Sequence, residues 1–321
     1  MPSIADTRQE LVHLVLPEHA NVQGNLFGGR MMYWITAAAT LPALRLARRA
    51  VLLGSMEDLD FLAPVRVGDM VFLRSQVEHV GRSSMEVGVE VEAENPRTGV
   101  RRRTTSAHVS MVAVDDDGRP QPVGAAILPA DAEETALVAA AKARREARDR
   151  RLAAWTEVPA DGQVLASESA PRHALEVTRL VFPEDAIAGN KMFAGTLLLA
   201  IDEIASILAV RYARDLVVTA SIDALDFHAP ILVGNIVIYQ AAINHVGRTS
   251  IEVGVRVLAE HPRAGTVRHT CTAYLTSVHV GADGRPAPLP PLAPQTAEER
   301  RRWAEAEARR ALRQRRRAAL A

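Results

Sequence analysis

The chain has 321 residues, 48% hydrophobic and 24% charged, a size and composition suited to about two globular domains. Lys plus Arg and Asp plus Glu are both 38, so no whole-protein field favours nucleic acid or an anionic membrane. Cys271 is the single cysteine, which excludes an intramolecular disulfide and any multi-cysteine metal site.

The start, MPSIADTRQE, has no basic segment leading into an apolar core, which reads as a cytoplasmic protein without a secretory signal. An extended apolar segment, ELVHLVLPE (10–18), comes first, and ALEVTRLVFPE (174–184) repeats it. Each leads through a glycine-containing loop into a helix-like run, GRMMYWITAAATLPALRLARR and GTLLLAIDEIASILAVRYAR. Both runs are apolar around most of their circumference and should be buried, with Pro42 kinking or breaking the first. The second carries Asp202 and Glu203 in a short apolar stretch, which argues against a membrane span. Four strand-like segments follow in each copy, divided by VGD or VGN, VGR, and NPRTG or HPRAG. A charged helix closes each copy, near 131–154 and 296–320, the second opening on a capping box from Thr296 to Glu299.

Phe27 and Phe193 stand 193 − 27 = 166 residues apart, and the same shift carries HVGRSSMEVGVEV (79–91) onto HVGRTSIEVGVRV (245–257). The chain is therefore a duplicated unit. The expected class is α+β: a five-stranded antiparallel sheet wrapped around a long central helix, twice, with the sheets joining edges into one. The divisions are an N-terminal domain over 1–125, a helical linker over 126–170, a C-terminal domain over 171–291 and a charged helix over 292–321. The terminal run ERRRWAEAEARRALRQRRR (299–317) reads as a solvated helix with internal Glu–Arg pairs rather than an RNA or lipid surface.

The chemically useful residues differ between the copies. In HANVQGNLFGGR (19–30), Gly28 and Gly29 open the buried helix, where unpaired N–H groups favour a developing oxyanion; a plain tight entry into the helix is the alternative. Asp202 is an acid on an apolar helix, either a structural cap or a working carboxylate, and Thr36 stands at its place in the first copy. Asn21 likewise faces Ile187. Asp202 is eight residues (202 − 194) beyond its own helix start, roughly 12 Å at about 1.5 Å per residue. The pairing that retains all the groups is thus Asn21, Gly28 and Gly29 from the first copy with Asp202 from the second. The turns Gly81-Arg82-Ser83-Ser84 and Gly247-Arg248-Thr249-Ser250 place an arginine beside two hydroxyls, suited to phosphate or pantetheine, or simply a hairpin with an exposed arginine.

N-x-x-G-x-x-F-G-G into a helix, an acid on that helix, LDF-x-x-P and G-x-[ST]-S-x-E-V together resemble the hotdog-fold acyl-CoA thioesterases. The duplication with a helix after each repeat is similar to the tandem-hotdog, brain acyl-CoA hydrolase type. The resemblance implies hydrolysis of fatty acyl-CoA, with Asn21 and Asp202 in one composite site and Asp202 acting as base or nucleophile. It implies coenzyme A, carried by the substrate and not a separate cofactor, at the two VGR turns. It also implies a homo-oligomer, a homotrimer of tandem units. A catalytically weak acyl-CoA-binding module is the competing function, and it has no need of the acid. A hydratase would want a helix histidine, and neither helix has one.

Overall fold

The elements recur at the spacing read from the sequence. In the computed structural model, which describes residues 1–154 and 171–320, the first repeat contains β1 (Gln9–Leu14), α1 (Gly28–Ala47), β2 (Val51–Met56), β3 (Leu59–Asp60), β4 (Met70–Val80), β5 (Ser84–Glu94), β6 (Arg101–Ala113) and α2 (Ala132–Ala154). The second contains β7 (Ala174–Leu180), β8 (Ala186–Ala188), β9 (Lys191–Met192), α3 (Ala194–Ala213), β10 (Val217–Ile222), β11 (Leu225–Asp226), β12 (Ile236–Val246), β13 (Ser250–His261), β14 (Thr266–His279) and α4 (Ala297–Leu320). Helices α1 and α3 start and end one repeat apart (194 − 28 = 213 − 47 = 166). The stretch 155–170 of the expected linker lies outside the described residues.

Met32, Ile35, Ala38 and Ala39 on α1, and Leu198, Ile201, Ala205 and Ala209 on α3, are at most 1% exposed. Their three- and four-residue spacing makes one stripe per helix, and each stripe packs on a sheet. Burying each of the larger ones stabilises by about 1.5–3 kcal/mol. Helix α1 continues through Pro42 without the expected break. Proline lacks the N–H that would bond the carbonyl four residues back, Ala38, and the Ser75 hydroxyl on β4 donates to that carbonyl at 2.7 Å instead.

The expected single continuous sheet does not form. There are two six-stranded antiparallel sheets, ordered β1-β4-β5-β6-β2-β11 and β3-β10-β14-β13-β12-β7. The last inner strand of each is borrowed from the other repeat: β11 pairs β2 through Leu225 and Met56, and β3 pairs β10 through Leu59 and Ile222. These two-residue strands occupy the edges along which the sheets would otherwise have paired, so the repeats clasp by exchange.

The closing helices lie on the outer sheet faces through arginine–carboxylate pairs. Arg151 of α2 holds Asp226 of the second repeat at 2.7 Å, and Arg317 of α4 holds Asp60 of the first at 3.1 Å. These are equivalent pairs, because 151 + 166 = 317 and 60 + 166 = 226. Internal pairs such as Arg301 with Glu298 and Glu305 occur only toward the start of α4 among the described residues. Farther along, Arg309 and Arg313 bind Glu252, so the terminal helix is not solvated all round. Its capping box is present: Glu299 N–H donates to Thr296 Oγ1 at 3.1 Å, and Thr296 N–H to Glu299 Oε2 at 3.4 Å. Among the described residues no helix is long and apolar enough to cross a membrane.

Candidate functional site

Helices α1 and α3 cross where the first begins, and the crossing is made of glycine. A Cβ on Gly29 would lie 3.0 Å from the Leu199 backbone and 3.0 Å from Asp202 Cβ; one on Gly28 would lie 3.0 Å from Asp202 Oδ2. Without side chains there, the start of α1 reaches the middle of α3, eight residues beyond that helix's own start. Gly29 N–H donates to Asp202 Oδ2 at 2.6 Å. Thr219 Oγ1, from β10, donates to Asp202 Oδ1 at 2.7 Å.

Asp202 is fully buried, and burial raises its pKa from the ordinary 3.8 to about 6, opposed by the bonds from Thr219 and Gly29. A rise of that size corresponds to roughly 3 kcal/mol against the ionised form. The carboxylate is therefore poised to exchange a proton near neutral pH.

Gly28 and Thr219 stand between this carboxylate and a cavity of about 510 Å3. Asn21, Phe27, Met31 and Phe61 of the first repeat and Ser206 and Val278 of the second are also in its wall. Asn21 Oδ1 accepts the Gln23 and Asn25 N–H groups at 3.0 and 3.2 Å, which fixes the side chain in its own loop. Its Nδ2 has no hydrogen bond among the described residues. The two expected glycine donors have separate roles: Gly29 N–H holds Asp202, while Gly28 is in the cavity wall.

A second cavity, of about 290 Å3, occupies the equivalent place, with Ile187, Phe193, Ala194, Thr36 and Leu53 in its wall. Each sits 166 residues from Asn21, Phe27, Gly28, Asp202 and Thr219 respectively. Thr36 turns its hydroxyl onto Met32 O of its own helix at 2.8 Å. Thr219 escaped the reading of the sequence, although its replacement by Leu53 in the other copy was a signal of the same kind as Asp202 against Thr36.

The two VGR turns are not brought together. Each is a β-hairpin turn closed by Gly81 N–H to Ser84 O at 2.7 Å, or Gly247 N–H to Ser250 O at 2.8 Å. Ser84 pairs with Val112 of the smaller cavity, and Ser250 with Val278 of the larger. None of the eight turn residues is in the wall of either cavity; Thr249 and Ser250 are in the wall of a separate space beneath α4. Arg101 and Arg102 are engaged by Glu94 and Asp69 at 2.7 and 2.8 Å. His228, in the wall of the smaller cavity, stacks on His269.

The family model described as Thioesterase superfamily matches residues 23–100 and 189–266, the same stretch of each repeat. An uncharacterized acyl-CoA thioester hydrolase of Bacillus subtilis is 41% identical over 122 residues, 38% of this chain and 71% of its own length. A cytosolic acyl coenzyme A thioester hydrolase of Mus musculus is 27% identical over 313 residues, 92% of this chain and 80% of its own. Acyl-coenzyme A thioesterase 11 of Mus musculus is 29% identical over 316 residues, 96% of this chain, and the chain spans about half (53%) of that relative's length.

Proposed function

The chain belongs to the thioesterase superfamily, and from that premise we propose that it hydrolyses fatty acyl-CoA to free fatty acid and coenzyme A at one site built from both repeats. The observation that supports this most is the buried Asp202, bonded by Gly29 of the other repeat and placed behind the wall of the larger cavity. Simple binding of an acyl group needs no buried carboxylate.

In this reading Asp202 is a general base rather than a nucleophile. Gly28 and Thr219 separate it from the cavity, a gap that a proton crosses through the Thr219 hydroxyl and a covalent bond does not. Water attacks the thioester carbonyl carbon and its proton passes to Asp202. The C–S bond then breaks, and coenzyme A departs as the thiol with that proton. Asn21 Nδ2 orients the water, and Gly28 N–H at the start of α1 stabilises the oxyanion. Single turnover in 18O water tests this: a base puts the label in the fatty acid and none in Asp202, whereas a labelled Asp202 would establish the nucleophile. No cofactor takes part beyond the coenzyme the substrate carries, so turnover survives dialysis against a chelator.

Assembly into a homotrimer, in the cytoplasm, completes the proposal. In its support, β1 and β7 are the outer edges of their sheets, and Val12, Leu14, Leu180 and Phe182 along them are 44–52% exposed. Light scattering should give about three times 34.8 kDa. A monomer at all concentrations would remove the trimer and leave the chemistry standing.

A further inference from the structure

The two cavities differ in charge as well as in size. Among the described residues, the wall of the larger has no ionisable side chain, whereas the wall of the smaller has Lys191 and His228 and no carboxylate. Burial lowers the pKa of His228 from its ordinary value, opposed by Asp226, so that ring is neutral at pH 7 and the charge in this wall is the lysine's.

Lys191 opens β9 and is 3% exposed. Its ammonium donates to the Asp116 carbonyl of the other repeat and forms no ion pair among the described residues. The turn that supplies this carbonyl is acidic, but its carboxylates are engaged elsewhere or face solvent. Asp115 accepts the Arg119 N–H and the Gln121 amide at 2.8 Å each, Asp117 pairs with Arg119 at 3.3 Å, and Asp116 is exposed. An ammonium has three donors, and one carbonyl occupies one of them. A buried cation without a counter-charge is unfavourable, and an anion beside it offsets the cost.

The hydroxyls of the wall agree. Thr36 and Thr40 donate to Met32 O and Thr36 O of their own helix at 2.8 and 2.7 Å. Thr270 is 1% exposed, and its hydroxyl has no partner. It is the bulged residue of β14, skipped between the Val257–Cys271 and Leu258–His269 pairs. Thr104, its counterpart in the wall of the larger cavity, bulges in the same way but donates to Val91 O at 3.0 Å. The smaller cavity therefore keeps a buried donor unused where the larger does not.

This wall has no means of cleaving a thioester, because Ile187, Ala194 and Thr36 replace Asn21, Gly28 and Asp202. Its volume of about 290 Å3 lies at the lower end of small-molecule pockets. With the lysine across the mouth, the space beneath takes a short chain and excludes a long one.

We infer that the smaller cavity binds a short free carboxylic acid, its carboxylate on the Lys191 ammonium and its chain among Phe193, Leu197 and Phe227. The uncharged wall suits a neutral thioester, and the cationic wall suits an ionised acid. The Thr270 hydroxyl offers a further donor to an acid with an oxygen on its chain. A free acid is also the class of product that the larger cavity is proposed to release, and that link alone rests on the thioesterase reading.

The test titrates octanoate calorimetrically into protein whose larger cavity is saturated with S-octyl coenzyme A, a thioether that cannot be hydrolysed. Octanoate should still bind, at one site per chain, and at least about tenfold more tightly than 1-octanol, which has the same chain without the charge. Lys191→Met keeps a long side chain across the mouth and removes the ammonium. Octanoate affinity should then fall about tenfold, while octanol affinity stays within about twofold and shows that the cavity is intact. Octanoate binding that ignores this substitution overturns the inference. Equal affinities for octanoate and octanol in the parent overturn it without any variant. Displacement of octanoate by S-octyl coenzyme A would put the acid in the larger cavity, with the same consequence. If the protein cleaved no thioester, the functional proposal would fail, while binding of octanoate that depends on Lys191 would stand.

Discussion

The two equivalent cavities show what the fold requires and what it merely carries. Both are entered through Phe-x-Gly at a helix start and closed by a Phe–x–Ala–Pro segment from the exchanged strand. In one the wall has Asn21, Gly28 and Thr219, with Asp202 behind; in the other Ile187, Ala194, Leu53 and Thr36 take their places. The second set is more apolar and leaves no carboxylate in the protein interior, yet the backbone elements keep their 166-residue spacing. The polar set is therefore not what holds the repeat together. It is a burden of roughly 3 kcal/mol on the ionised form, and its retention in one cavity only supports the proton transfer proposed there.

Asp202→Asn is the strongest way to break the comparison. Turnover should fall by at least about 10²-fold, the usual contribution of a positioned acid–base group; near-parental thiol release would end the assignment. The same variant has a stability signature. Because the folded pKa lies above the ordinary 3.8, at about 6, the folded state holds the extra proton between those values. The stability that this protonation confers is present below about pH 4 and is lost as pH rises through about 6. Asp202→Asn should thus melt above the parent at pH 7 to 8, by up to roughly 3 kcal/mol, and the gap should close by pH 4. A gap independent of pH would mean that Asp202 is not the buried ionising group. The parent's kcat/KM should rise with pH through about 6 and then level.

Asn21→Ala against Ile187→Ala sharpens the contrast. The first removes the free amide together with the Oδ1 acceptor of the Gln23 and Asn25 N–H groups, and should lower kcat about tenfold or more with a loss of stability of about 1 kcal/mol. The second removes a side chain 44% exposed, so kcat should hold and stability should fall by about 1 kcal/mol or less. Equal losses of turnover would refute a single working site. Thr219→Val takes the donor from Asp202 Oδ1 and raises that carboxyl further. Because the same hydroxyl carries the proton to Asp202, activity should drop at every pH, by about tenfold or more at pH 6 and by less at pH 8. Unchanged activity at pH 8 would take Thr219 out of the proton path and leave it only as a partner of the carboxylate.

Much of this was legible in the sequence because the chain carries its own comparison. The repeat, the buried helices and the charged outer helices follow from period and composition, and Asn21 and Asp202 stood out because Ile187 and Thr36 face them. Thr219 was missed although Leu53 faces it, since one hydroxyl in the strand VVTASI looks like ordinary β-branched filling. The exchange of β3 and β11 was hidden for a different reason. Two-residue strands carry no periodicity, and their pairing is decided by the bulges at Gly54 and Ala220, which no local pattern marks. That the helix runs on unbroken through Pro42 was hidden because the hydroxyl that satisfies it comes from Ser75, 75 − 42 = 33 residues away in sequence. The spent donor at Gly29 was invisible for the same reason, since its partner lies 202 − 29 = 173 positions on.

The smallest expected effect concerns the width of the second cavity. Lys191 is 3% exposed, and its ammonium donates to the Asp116 carbonyl, which draws the chain across the cavity mouth. Its Cε lies 2.8 Å from where a Cβ on Gly118 would be, whereas the equivalent Gly284 has nothing within 4 Å of that point. Asn25 replaces the lysine in the larger cavity. The shorter side chain is therefore expected to contribute to the difference between about 290 and about 510 Å3. Lys191→Asn should open the smaller cavity without supplying any of the polar groups it lacks. A fluorescent fatty-acyl probe should then bind at two sites per chain instead of one, the new site more weakly, while turnover stays within about twofold because Asp202 and Thr219 are untouched. Unchanged stoichiometry would mean that Ile187 and Leu53, not the lysine, set the width. A gain in turnover would mean that the second cavity was catalytically competent all along, and the contrast drawn between the two would collapse.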